Sequence, residues 1–231
     1  LVYPAEDSYN PYRTAYEELN TLDKNRVYGN VYANIDIAKG LSLNLRSAVD
    51  LNDEWRTQQK PFYTPNHPSG FYREQNIRNQ LFNNDFLLKY VNNSIAGERL
   101  SMALSFGGNA MEEKYYHNRV TLDELQNDGI YNINNVPAGY IASPYNYRSK
   151  KKINSLYAFA SLGWDDTYYL DLTDRNDWSS TLSRKNRSYN YPSVSASVLL
   201  DRVFNLHKSA AWIDMLKYRL SWANVGIDTN P

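Results

Sequence analysis

The chain has no cysteine among its 231 residues, which excludes disulfide frameworks, thiol nucleophiles and thiolate metal sites. Histidine is nearly as scarce: His67, His117 and His207 stand far apart, without the spacing of a metal-binding pair. No run approaches the ~18–20 apolar residues of a transmembrane helix. That excludes helical spans only, because a barrel strand crosses with roughly 9–11 residues of alternating pattern. Net charge is also lacking, since 25 basic and 25 acidic residues cancel, so no electrostatic footprint for nucleic acid is expected. The opening Leu1-Val2-Tyr3-Pro4 has neither the basic region nor the apolar core of a secretory leader.

What is present is tyrosine, at 21 residues, within an aromatic content of 14%. That composition fits a β-rich protein with half-apolar strands and long polar loops, and it fits a soluble β-sandwich equally well. The chain is organised around an alternating stretch from Ser155 to Leu200. Leu156, Ala158, Ala160, Leu162 and Trp164 interleave with Tyr157, Phe159, Ser161 and Gly163. After Asp165-Asp166, Tyr168, Leu170 and Leu172 oppose Tyr169, Asp171, Thr173 and Arg175, and Val194, Ala196 and Val198 later oppose Ser193, Ser195 and Ser197. Period two puts one residue set on each face of a strand.

Earlier strands are expected at 27–37, 41–52, 80–91 and 100–106, and a last one at 216–226, making about eight strands in all. Residues 1–26 read as a loop, with a short helix possible within 14–22, and a second short helix is expected at 205–215. Short connections at 38–40, 95–99 and 165–166, with a modest one at 204–215, alternate with long ones at 53–78, 112–153 and 179–190. Outer-membrane barrels separate short periplasmic turns from long extracellular loops in this way. Asp36, Arg46, Asp50, Lys89, Asp171 and Arg175 all occupy the polar phase of their strands, as a watery lumen favours and as any sheet with one solvated face also allows.

Asn176-Asp177-Trp178-Ser179-Ser180-Thr181-Leu182, followed by Asn190-Tyr191-Pro192-Ser193-Val194-Ser195-Ala196-Ser197, resembles the SusC/RagA-like TonB-dependent transporters of Bacteroidetes outer membranes. The segment from Leu216 to Pro231 resembles the family's following K-x-R-x-S-W element, departing at Ile227, where Asn is usual; Gly29–Leu43 fits more loosely. The resemblance implies an all-β fold of antiparallel strands within a large transmembrane β-barrel of about 22 strands around a plug. It implies that residues 1–231 are part of the barrel domain only, an interior piece of a longer chain carrying the plug and the remaining strands elsewhere. Function would be TonB-dependent import of oligosaccharides or peptides across the outer membrane, with no cofactor and no catalysis. The partners implied are a SusD-like surface lipoprotein, the TonB–ExbB–ExbD complex acting through parts outside this segment, and outer-membrane lipid and lipopolysaccharide.

On this reading Arg46, Asp50, Asp171, Arg175, Asn176 and Asp177 are expected to face lumen or substrate. Trp164, Trp178 and Trp222 are expected in the aromatic girdles at the membrane interfaces. The carboxylate pairs Glu112-Glu113 and Asp123-Glu124 read as solvated loop charge, and Asp165-Asp166 as a turn. Gly107-Gly108 reads as a bulge or bend, and the Arg184–Arg187 run as a solvated loop able to face lipopolysaccharide phosphates. A soluble, secreted carbohydrate-binding β-sandwich stays open as the alternative from composition.

Overall fold

The alternating segments pair into one nine-stranded sheet. The computed structural model describes residues 11–206 and 212–226, so the expectations resting on His207, on the middle of the 205–215 helix and on Ile227 lie outside the described residues. In chain order come a short helix α1 (Pro11–Tyr16), then β1 (Asn20–Ala38), β2 (Leu41–Lys60), β3 (Phe71–Ile95), β4 (Leu100–Leu122), β5 (Ser143–Trp164) and β6 (Tyr168–Ser179). A 3-10 turn (Arg184–Asn186), β7 (Ser188–Asn190), β8 (Ser193–Leu199), the helical turn α2 (Leu200–Val203) and β9 (Lys217–Ala223) complete it. Neighbours in sequence are neighbours in the sheet, from β1 to β6 and on to β8 and β9, with the short β7 added against β6. The sandwich alternative requires a second sheet, and among the described residues every strand belongs to this one.

The strands are longer than the alternation predicts. β1 begins at Asn20, inside the expected loop, and β2 to β5 absorb much of the connections expected at 53–78 and 112–153. A strand of 20 residues such as β2 is roughly 65–70 Å long, against an apolar band of ~25 Å in an outer-membrane barrel. Periodicity marks only the part whose faces meet different solvents. Beyond it both faces are polar, as in Asp53, Glu54 and Arg56 of β2 or Glu74, Gln75 and Asn76 of β3, and the backbone ladder alone continues the strand.

The contacts divide the chain into two compact units. The first (1–28, 49–81 and 113–150) holds the connections at 61–70 and 123–142 and a small core of its own. Tyr72, Leu122 and Leu125 are buried there, with Phe62, Tyr131, Val136, Tyr140 and Ala142 packed on them. Asn135 ties the 123–142 connection together: its Nδ2 donates to the carbonyls of Asn127 and Ile130 at 2.7 and 2.6 Å, and its Oδ1 accepts from the Asn127 N–H at 3.1 Å. The expected long irregular stretch is thus a folded loop.

The second unit (29–48, 82–112 and 151–231) holds the tight turns. Asp165 and Asp166 have φ of 51° and 47°, and the Thr167 N–H donates to the Trp164 carbonyl at 3.0 Å. Positive φ at both central residues is the type I′ geometry that suits twisted hairpins. Arg99 grips the Asp165 carboxylate with Nε and Nη2, both at 2.7 Å, and its guanidinium lies 5.2 Å from the Trp164 ring. Gly107 and Gly108 lie inside the continuous β4 rather than at a bend. A Cβ on Gly107 would strike the Tyr157 ring and approach the Phe86 carbonyl oxygen at 2.7 Å, so the glycine makes room for a tyrosine from the next strand.

Candidate functional site: the polar face of the sheet

Register fixes the two faces in the second unit. Trp164 pairs with Tyr168, Leu162 with Leu170 and Ala160 with Leu172; Val198, Ala196 and Val194 extend these rungs, and Tyr218, Leu220 and Trp222 end them. This face is apolar and uncovered: Leu172 is 39% exposed, Val194 41% and Leu220 67%. A contiguous apolar surface of this kind marks contact with protein or lipid. Trp178 pairs with Asn154 on the same face. The Trp178 and Trp164 rungs are about ten residues apart, which at a ~40° strand tilt is roughly 25 Å of height. Trp222, paired with Val194, lies between these two levels.

The opposite face carries charge that is internally compensated. Arg46 donates through Nε to Asp85 at 2.8 Å. The Ser161 hydroxyl donates to Asp171 at 2.6 Å. Arg175 donates to Asp177 at 2.7 Å and to the Ser155 hydroxyl at 3.0 Å, and its guanidinium lies 5.9 Å from the Tyr157 ring. Arg46 on β2 is separated from the β6 group by β3, β4 and β5, so these residues share a face without forming one site. Asn176 corrects the expectation. It pairs with Leu156, on the face opposite to Arg175 and Asp177, because adjacent residues on a strand point to opposite sides. There it exchanges hydrogen bonds with the Ser188 hydroxyl of β7 at 2.9 and 3.1 Å. Asp174 is on that face too, and its carboxylate accepts from Asn190 Nδ2 at 2.7 Å.

In the first unit the polar face is denser. Asp50 accepts two hydrogen bonds from Arg26, at 2.9 and 2.7 Å. Glu54, only 6% exposed, is surrounded by Lys24 at 2.9 Å, Asn52 at 3.0 Å and Arg56. Burying a carboxylate is tolerated where donors satisfy it in this way. Further along, Arg73 donates to the Thr121 hydroxyl and to Gln58 Oε1, both at 3.1 Å. His117 Nε2 lies 3.2 Å from Gln75 Oε1 and its ring 5.2 Å from that of Tyr145. Tyr115 approaches Tyr147 at 6.1 Å, and the Arg119 guanidinium lies 4.8 Å from the Tyr145 ring.

Beside this cluster a polar cavity of about 450 Å³ is lined by Glu18, Lys60, His67, Phe71, Arg73 and Asp123. Burial pushes the His67 imidazole below its ordinary pKa, and the charge of Lys60 adds to this while Asp123 opposes it. The sequence concealed these residues because both faces of the strands are polar here, so no period-two signal separates them from loop. Among the described residues no three His, Asp or Glu side chains converge as a metal site would require.

Paired charges, amides and aromatic rings on one face of a sheet can hydrogen-bond and stack on a polar solute while the other face meets hydrocarbon. No family model matches the chain, and neither does any curated protein sequence. Solved structures do. The RagAB peptide importer in its closed-closed state matches with a TM-score of 0.81 at 19% identity, over 96% of this chain and 25% of that one. The RagAB peptide transporter matches with a TM-score of 0.76 at 20% identity, over 84% of this chain and 22% of that one. The siderophore receptor PiuA from Acinetobacter baumannii matches at 0.48, with 10% identity over 79% of this chain and 31% of that one. The chain therefore has the fold of a β-barrel segment and spans about a quarter of the length of the RagAB chains.

Proposed function

We propose that this chain is wall from the barrel of a TonB-dependent outer-membrane importer. All of residues 1–231 belong to that barrel domain, and the plug and remaining strands are supplied by the rest of a longer parent. The apolar face meets lipid, with Trp164 and Trp178 at the two interfaces and Trp222 on the wall between them. The polar face carrying Arg46, Asp50, Asp171, Arg175 and Asp177 lines the watery interior. The observation that carries this reading is the strip of two-faced strand, roughly 25 Å high, bracketed by those two tryptophans: it matches the apolar band of such barrels.

The solved structures that share this fold at high TM-score are transporters rather than enzymes. The fold shared with a peptide importer supports a peptide cargo; the family resemblance adds oligosaccharides as the other cargo, a SusD-like lipoprotein over the outer loops and energy from TonB–ExbB–ExbD. The test is to fractionate cells producing the parent chain and compare its electrophoretic mobility with and without boiling. An outer-membrane protein whose mobility shifts on heating, copurifying with a surface lipoprotein and losing uptake when TonB is deleted, is the expected result. Recovery of a free, soluble, cooperatively melting chain would overturn it. Lipids brominated near the headgroup are expected to quench Trp164 and Trp178 more than lipids brominated at the acyl terminus, with the reverse order for Trp222.

A further inference from the structure

The outer ends of β4 and β5 hold a cluster that a barrel wall does not require. Tyr115, His117, Tyr145 and Tyr147 gather at ring separations of 5.2 to 6.5 Å, and Tyr145 and Tyr147 remain 40% and 37% exposed. Arg119 is stacked over Tyr145, and its Nε is buried without a hydrogen-bond partner. Arg73 is held by two neutral oxygens, from Thr121 and Gln58. Neither guanidinium has a carboxylate within ion-pair distance among the described residues, whereas Arg26, Arg56 and Lys24 on the same face each have one.

Two guanidiniums without a carboxylate at ion-pair distance, beside exposed aromatic faces, suit an anion attached to a flat, hydrogen-bonding body. Arginine presents a fork that fits carboxylate in bidentate geometry, and tyrosine faces stack on the C–H side of sugar rings. Of the acids on the cluster's own face, Asp50 is engaged by Arg26 and Glu54 by Lys24 and Arg56, while Glu113 stands two residues before Tyr115 in the same phase of β4. Asp123 and Glu18 line the adjoining cavity together with Arg73 itself, Lys60 and His67. An acidic sugar brings both a carboxylate for the guanidiniums and a ring for the exposed tyrosine faces, and the peptides in the test below decide whether an ammonium group is accepted as well.

We propose that Tyr115, His117, Tyr145 and Tyr147, with Arg119 and Arg73, form a subsite for a uronate-bearing oligosaccharide, whose ring stacks on Tyr145 or Tyr147 and whose carboxylate meets the guanidiniums. This rests on the importer reading and names a substrate class for it. The test is calorimetry on the purified, full-length parent in detergent. The probes are tetrasaccharides of galacturonate, glucuronate and mannuronate, their methyl esters, and a mixture of tetrapeptides.

At least one acid is expected to bind, with its ester ten-fold weaker or worse. Arg119→Gln is expected to lower affinity for the acid about ten-fold and to flatten its salt dependence, leaving the ester unaffected; Tyr145→Ala is expected to weaken acid and ester together. Binding of no acid, equal binding of acid and ester, an unchanged Arg119→Gln variant, or preference for the peptides would each overturn the proposal. Heat-shifted mobility, checked on every variant, separates the failures. If it is retained while no acid binds, the subsite alone falls; if it is absent from the parent, the importer reading falls too.

Discussion

Single residues matter most where backbone and ring compete for one space. At Gly107 the room for a Cβ is taken by Tyr157 and the Phe86 carbonyl, whereas Gly29 has nothing within 4 Å. Gly107→Ala is expected to cost about 1–3 kcal/mol, as overpacking does, lowering the temperature at which the parent barrel's mobility converts, and Gly29→Ala is expected to leave that temperature unchanged. At the hairpin tip, hydrogen bonding from Arg99 holds the Asp165 carboxyl below its ordinary pKa, and the same contact raises that of Arg99. An acid depressed in the folded state contributes stability that is full above the unfolded carboxylate range and is lost as pH falls through the folded value. Asp165→Asn keeps a residue that tolerates positive φ but removes the charge. The gap in conversion temperature between parent and variant, open at neutral pH, is therefore expected to close below about pH 4.

Elements show why reading the sequence succeeded in one part of each long strand and stalled in the rest. Alternation located the turns at 39–40, 96–99 and 165–167 and the apolar rungs from Leu156 to Trp164, because there one face is polar and the other is not. It lost β2 after Asn52 and β4 after Phe106, and farther along these strands Asp53 and Thr57 oppose Glu54 and Arg56, and Glu112 and Lys114 oppose Glu113 and His117, so both phases are polar while the ladder continues. Phase alone separates Asn176 from Arg175 and Asp177; a motif taken as a block hides that. The Tyr115–Tyr147 cluster had no signal, since it depends on which residues of two strands lie side by side. In the connection at 61–70, the pKa of His67 is lowered mainly by burial, so its contribution to holding the connection is full above the ordinary imidazole value of about 6.5 and is lost as pH falls through the lowered one. Proteolysis of that connection in the parent is expected to be faster at pH 5 than at pH 7.5, and equal at the two in His67→Gln.

For the whole molecule, the decisive fact is where apolar surface is not covered. The described buried hydrophobics are Phe71, Tyr72, Leu122 and Leu125, all near the connections at 61–70 and 123–142, while Tyr168, Trp222 and Leu220 of the sheet remain open. Water does not stabilise a sheet in that condition, and exposed strand edges invite pairing with other chains. Residues 1–231 produced alone are expected to aggregate in buffer and to gain β-structure by circular dichroism only in detergent micelles. A monomer melting cooperatively in buffer would contradict this. The strands that outrun the apolar band bear on descent as well as on stability. On the wall reading proposed above, a position in the two-faced strip answers to oil on one side and water on the other, whereas a position beyond it answers to water on both. Substitutions will then accumulate at alternate residues in the strip and at consecutive residues beyond it, so the tempo of change along each long strand will record where the two-faced strip ends.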